Sequence, residues 1–166
     1  METITLTAEQ WLEFIKCDEN INIPVWIHVV SNSMLPFIRA HKDRVLLVPA
    51  RPGDLKVGDI VLFPVNHSLG DYCLHRVFKM DGDRVQTMGD ANRGPDDWLP
   101  KRNVLGKAVM IERGKITIDC ESRRWRALFW LWNRFWRIRP ATLFLYRAIG
   151  KCKSALTQPS RKPSET

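Results

Sequence analysis

Three kinds of side chain with a shared chemistry follow one another along this chain. Serines stand in Ser31-Asn32-Ser33-Met34-Leu35-Pro36, an imidazole in Leu74-His75-Arg76-Val77, and carboxylates in Gly89-Asp90-Ala91-Asn92 with Asp96 and Asp97 just behind. A serine hydroxyl is a poor nucleophile at neutral pH until a base takes its proton, and an imidazole serves best when an acid orients its far nitrogen. The three types together are a hydrolase inventory. Their order along the chain, Ser, His, Asp, differs from the orders of the familiar triads, so geometry has to validate it. Taken singly, Ser33 also reads as a turn serine, His75 as a strand histidine and Asp90 as a turn residue.

Cys73 lies two residues before His75, on the same face of a strand, where a thiol nucleophile is conceivable and a small buried hydrophobe is the plainer reading. His28, His41 and His67 have no ligand spacing, and Cys17, Cys73, Cys120 and Cys152 form no C-x-x-C pair. Neither a zinc site nor a disulfide framework is signalled, and the chemistry calls for no metal or organic cofactor.

The elements that must hold these groups read as mainly β. Short runs rich in β-branched residues cover Val25 to Val30, Arg44 to Pro49, Asp59 to Val65, Tyr72 to Met80, Arg84 to Met88, Val104 to Arg113 and Lys115 to Cys120. Turn signals separate them at Arg51-Pro52-Gly53-Asp54, Asn66 to Asp71, Asp81-Gly82-Asp83 and Asn92 to Pro95. Short strands without long helices between them predict a compact antiparallel sheet or partly closed barrel. Ahead of it, Thr7 with Gln10 makes a capping-box start for a short helix over Ala8 to Cys17, read as a brace within residues 1–24.

With 166 residues and 45% hydrophobic side chains, the chain has room for one catalytic domain, residues 25–120, plus an appendage. The net charge of +8 sits entirely in that appendage: residues 1–120 hold 15 Lys/Arg against 16 Asp/Glu, and 121–166 hold 11 against 2. Residues 121–153 interleave arginines with Trp125, Phe129, Trp130, Trp132, Phe135, Trp136, Phe144 and Tyr146, and Pro140 is expected to divide the stretch into two amphipathic helices. Arg134, Arg137 and Arg139 interrupt apolar runs too short to span a bilayer, which suits a segment lying in the membrane interface better than nucleic-acid binding. Residues 154–166 have the composition of a disordered tail. Met1 to Gln10 show no basic and apolar signal-peptide pattern, so the expected location is peripheral on a membrane, on its cytoplasmic side.

The serine-containing run resembles the serine box of type I signal peptidases, S-x-S-M-x-P. Three further runs are similar to that family's boxes in the same order: Val57-Gly58-Asp59-Ile60-Val61, Leu74-His75-Arg76-Val77, and Thr87-Met88-Gly89-Asp90-Ala91-Asn92 with Asp96. The resemblance covers about Val29 to Val109 and implies the signal peptidase/LexA-like fold type. Where bacterial housekeeping members and LexA-like autoproteases carry a lysine base, this chain carries His75, as in the Ser-His branch. It implies Ser33 as nucleophile, His75 as general base and acid, and Asp96 as orienting acid with Asp97 as its neighbouring alternative. Asp90 supports the loop or the histidine, and the Ser33 N–H with the Ser31 hydroxyl forms the oxyanion hole. The chain departs from the pattern in having Asn32 where the family has glycine; no counterpart of the family's amino-terminal anchor is expected in residues 1–24, and the aromatic-basic segment is the candidate substitute.

The implied activity is serine endoproteolysis of a signal or leader peptide on a preprotein. Within proteolysis, the alternatives are cytosolic leader-peptide maturation and LexA-like self-cleavage. Outside it stands a non-catalytic lipid- or nucleic-acid-binding module built on the Arg/Trp segment.

Overall fold

Period-two alternation of apolar residues is what lets each of these short runs bury one face, and the computed structural model, which describes residues 23–65, 72–144, 146 and 148, forms them as strands. They are β1 Val25–His28, β2 Arg44–Pro49, β3 Ile60–Pro64, β4 Tyr72–Asp81, β5 Arg84–Met88, β6 Trp98–Pro100, β7 Gly106–Arg113 and β8 Ile116–Asp119. All pairings are antiparallel, in the order β1-β2-β7-β3-β4-β5-β6 with β8 also on β7. The result is a curved half-barrel sheet. β7 organises it: β2 runs along one side, while β3 (at Gly106 and Lys107) and β8 (from Met110 to Arg113) share the other side end to end.

Every expected strand is present: β2 and β5 have the expected ends, β4 runs one residue further, and the others are trimmed by one or two residues. β6 was not expected. It is three residues long and ends on Pro100, too short for alternation to show and confined by its proline to the sheet edge, where it pairs with β5.

The alternation on β3 and β4 divides the interior in two. Ile60, Leu62 and Leu74 point into a core with Met34, Phe37, Ile38 and Ile111, whereas Val61, Phe63 and Val77 point into a second cluster with Leu55, Val85 and Val104. Helix α1, Arg123–Arg134, covers the first core. Its Phe129 meets Phe37 edge-to-face with centroids 5.3 Å apart, and Trp132 approaches the same ring at 5.3 Å.

The break in the carboxy-terminal segment falls at Phe135, not at Pro140. A 3-10 turn, Trp136–Ile138, follows, and helix resumes over residues 139–144. Pro140 therefore lies in the first turn of the second helix, where its missing N–H leaves no hydrogen bond unmade and its φ suits the helix. The segment is not a detached arm: Phe129, Asn133, Arg139 and Leu143 are buried on the domain. Its outer face leaves Trp130, Leu131, Phe135, Ile138 and Phe144 exposed. Among the described residues, no helix is long and apolar enough to cross a membrane. The expected helix over Ala8 to Cys17 and the tail at 154–166 lie outside the described residues.

Candidate active site

Strand β4 carries the imidazole. His75 sits opposite Val61 of β3, so Cys73, His75 and Val77 leave the face of the second cluster, while Leu74 and Arg76 leave the opposite face. The ring of Phe63 lies against the imidazole with centroids 6.1 Å apart. His75 is 5% exposed and its Nδ1–H donates to Asp96 Oδ2 at 2.7 Å.

The acid is itself held from several sides. The Thr87 hydroxyl donates to the same Asp96 Oδ2 at 2.7 Å, the Asp96 N–H donates to the Thr87 carbonyl at 2.8 Å, and Gln86 Nε2 donates to the Asp96 carbonyl at 3.1 Å. β5 thus fixes the loop that returns to the histidine. Burial pulls His75 towards its neutral form, but the hydrogen bonds to Asp96 and Cys73 outweigh it and raise the pKa from 6.5 to about 9. Asp97, next along, is exposed and borders a cavity beside the imidazole without bonding to the ring.

Asp90 faces the other way. It is fully buried and takes a bidentate pair of bonds from Arg76, Nε to Oδ1 at 2.9 Å and Nη2 to Oδ2 at 2.7 Å. Arg76 Nη1 also donates to the Gly58 carbonyl at 2.8 Å, and its guanidinium lies 4.0 Å from the Phe129 ring centre. A second buried guanidinium, Arg139, donates to Asn133 Oδ1 at 2.9 Å and to the Gly89 carbonyl at 3.4 Å, with its Nη1 3.9 Å from Asp90 Oδ1. Burial lowers the Arg139 pKa to about 10, with Asp90 opposing that fall. The carboxy-terminal helices are tied in this way to the turn beside the imidazole.

Ser33 occupies the loop between β1 and β2. Arg39 and the buried Asp43 clasp the end of that loop, with Nη2 to Oδ1 at 2.6 Å. Asn32 does not adopt left-handed backbone; His41 is the non-glycine residue at positive φ among those described, and Asn32 Oδ1 accepts the Ala40 N–H at 3.4 Å. Ser31 Oγ and Ser33 Oγ are 2.9 Å apart, so the expected oxyanion donor stands beside the expected nucleophile.

The turn from Gly89 to Asn92 connects serine loop and histidine. The Ala91 N–H donates to the Ser33 carbonyl at 2.7 Å, and a Cβ on Gly89 would lie 2.9 Å from His75 Nε2 and 2.8 Å from the Asn92 side chain. Only glycine lets this backbone approach the ring so closely. Among the described residues no hydrogen bond joins Ser33 Oγ to His75; the partner of Nε2 is Cys73 Sγ at 3.3 Å. Beside the imidazole opens a cavity of about 540 Å³, bordered by Phe63, Val65, Cys73, His75, Asp96 and Leu99 among others.

His75 and Asp96 are therefore brought together, Ser31 and Ser33 stand together on a loop hydrogen-bonded to the turn beside the imidazole, and Asp90 serves a separate buried pair. Thr87, Gly89 and Arg76 matter to the site through these contacts, although the sequence reading assigned them no role. The signal for Thr87 and Gly89 was their place in the Thr87-to-Asn92 run. Among the described residues, no three His, Cys, Asp or Glu side chains converge as a metal site. His28 and His41 are exposed, and His67 lies outside the described residues. In comparison with known proteins, no family model matches the chain, and no curated protein matches it.

Proposed function

We propose that this chain is a serine endopeptidase resembling signal peptidase I in its Ser-His branch, acting on signal or leader peptides. The observation that carries the reading is the His75–Asp96 hydrogen bond of 2.7 Å, backed by Thr87, beside a loop holding Ser31 and Ser33. An acid bonded to Nδ1 fixes the tautomer whose Nε2 is free to accept a proton.

In the proposed reaction an extended peptide brings its carbonyl to Ser33, and Nε2 exchanges its Cys73 contact for the Ser33 hydroxyl. Oγ attacks as its proton passes to Nε2, and the oxyanion is met by the Ser33 N–H and the Ser31 hydroxyl. Imidazolium then protonates the leaving amine, and a water activated by His75 hydrolyses the acyl-enzyme. With the His75 pKa near 9, the free imidazole is mostly protonated at neutral pH, so the rate should climb as the pH approaches that value.

The same proposal includes a peripheral seat on a membrane, cytoplasmic side, through residues 121–153. Exposed Trp130, Phe135, Ile138 and Phe144 alongside exposed Arg134 and Arg137 support lipid over nucleic acid as the polyanionic partner. Incubating the purified protein and lipid vesicles with a panel of signal-like and leader-like peptides tests the enzymatic part. Wild type should cleave, and Ser33→Ala and His75→Ala should each lose at least about a thousandfold in kcat/KM. Cleavage that survives Ser33→Ala at the wild-type rate would overturn the serine mechanism.

A further inference from the structure

The residue that faces the base is a thiol. Cys73 and His75 leave one face of β4, with Sγ 3.3 Å from Nε2, and Nδ1 of the same ring is held by Asp96 at 2.7 Å. Acid, imidazole and thiol therefore stand in the serial arrangement that activates a nucleophile. All three border the cavity of about 540 Å³, whose other walls include Phe63, Val65 and Leu99. Cys73 is half-buried and open to that space, whereas Cys120 is 6% exposed and burial pushes its thiol up to about 12.

We propose that Cys73 is a modification site, at which His75 activates the thiol to add to a small apolar α,β-unsaturated carbonyl compound held in this cavity. Sγ reacts as the thiolate paired with the protonated His75 ring and bonds to the β-carbon of the electrophile. The C=C electron pair moves to the α-carbon, which takes the Nε2 proton from the imidazolium, so nothing leaves and no oxidant is consumed. The apolar walls favour an uncharged electrophile over an ionic one. Once formed, the adduct stands between the cavity and Nε2 and withholds the base from Ser33. That last consequence rests on the peptidase reading, while the addition itself does not.

N-ethylmaleimide is a compact electrophile of this class, and peptide-level mass spectrometry on the full chain resolves its reaction at each cysteine. At neutral pH Cys73 should be labelled at least about tenfold faster than a cysteine in an unstructured peptide, with Cys120 unlabelled over the same time. His75→Ala and Asp96→Asn should each slow Cys73 labelling at least about fivefold, and Ser33→Ala should leave it unchanged. Continued protection of Cys120 reports that a variant is folded. The proposal is overturned if wild-type Cys73 reacts no faster than the unstructured peptide, or if its rate is unaltered in a His75 or Asp96 variant that still protects Cys120. Labelled protein that still cleaves peptides at the unlabelled rate would remove the closure of the serine site. Fast labelling in a protein that cleaves nothing would instead sink the peptidase reading and leave the thiol site standing.

Discussion

Replacing Asp96 by Asn keeps the shape of the side chain and removes the charge that sets the state of His75. The imidazole pKa is raised from 6.5 to about 9 despite burial, because the hydrogen bonds to Asp96 and Cys73 favour the charged ring. A difference of about 2.5 units corresponds to about 3 kcal/mol of preference for the protonated ring in the folded state. Because the folded pKa lies above the unfolded one, this stabilisation is complete below about pH 6.5 and disappears as the pH rises through about 9. In Asp96→Asn the burial is opposed by Cys73 alone, and the pKa should fall towards 6.5 or below it. The variant should therefore be less stable than wild type by up to about 3 kcal/mol at about pH 5.5, with that difference closing above about pH 9.5. Urea unfolding of both proteins at the two pH values measures it, and NMR titration of the His75 ring gives the pKa directly. A stability difference independent of pH, or a His75 that still titrates near 9 in the variant, would refute the assignment of Asp96 as the group that raises it.

Three other outcomes follow from the same geometry. Gly89→Ala puts a methyl group 2.9 Å from His75 Nε2; the Asn92 side chain can swing away but the ring is held by Asp96, so urea unfolding should show a loss of about 1–3 kcal/mol together with a shifted His75 ring resonance. Asp90→Asn leaves Arg76 and Arg139 buried without their shared carboxylate and should cost about 3–5 kcal/mol by the same assay, whereas a cost below about 1 kcal/mol would show that the pair is not desolvated as described. The double variant Trp130→Glu with Phe144→Glu changes side chains that are 60% and 75% exposed, so it should fold normally yet lose most of its sedimentation with anionic lipid vesicles; undiminished sedimentation would take the membrane proposal off this face.

The strands were legible because each carries its own evidence: alternation and β-branched residues are local properties, and the turn residues between them are too. The three residues of β6 hold too little pattern to register, and they become a strand because β5 offers them an edge. Pro140 is a strong local signal that misled about position, since proline marks a first helical turn as readily as a break, and the chain bends instead at Phe135. The aromatic-basic segment is expected from sequence to lie in the membrane interface as a whole, whereas Phe129 and Arg139 are buried on the domain and Trp125 and Trp132 pack against its core. Nothing local distinguishes Arg139 from Arg137, yet one is buried against Gly89 and Asn133 and the other is solvated.

The candidate site shows the same division. The residue types, Ser33, His75 and the acids after β5, stand in the chain itself, because the chemistry of a hydroxyl, an imidazole and a carboxylate belongs to the side chain wherever it sits. The resemblance implies Asp96 as the orienting acid with Asp97 as its alternative, but as neighbours in a loop Asp90, Asp96 and Asp97 are not ranked by the chain itself. Strand alternation sends His75 and Arg76 to opposite faces of β4, and each face recruits its own carboxylate: Asp96 by way of Thr87 on one side, Asp90 on the other. Likewise Cys73 becomes the partner of Nε2 because residues two apart on a pleated strand share a face and, here, a cavity wall. Sequence determined which chemical groups are available and which runs become strands, since both are local matters; tertiary structure alone decided which groups meet, because hydrogen bonds of 2.7 Å depend on the packing of segments that lie far apart in the chain.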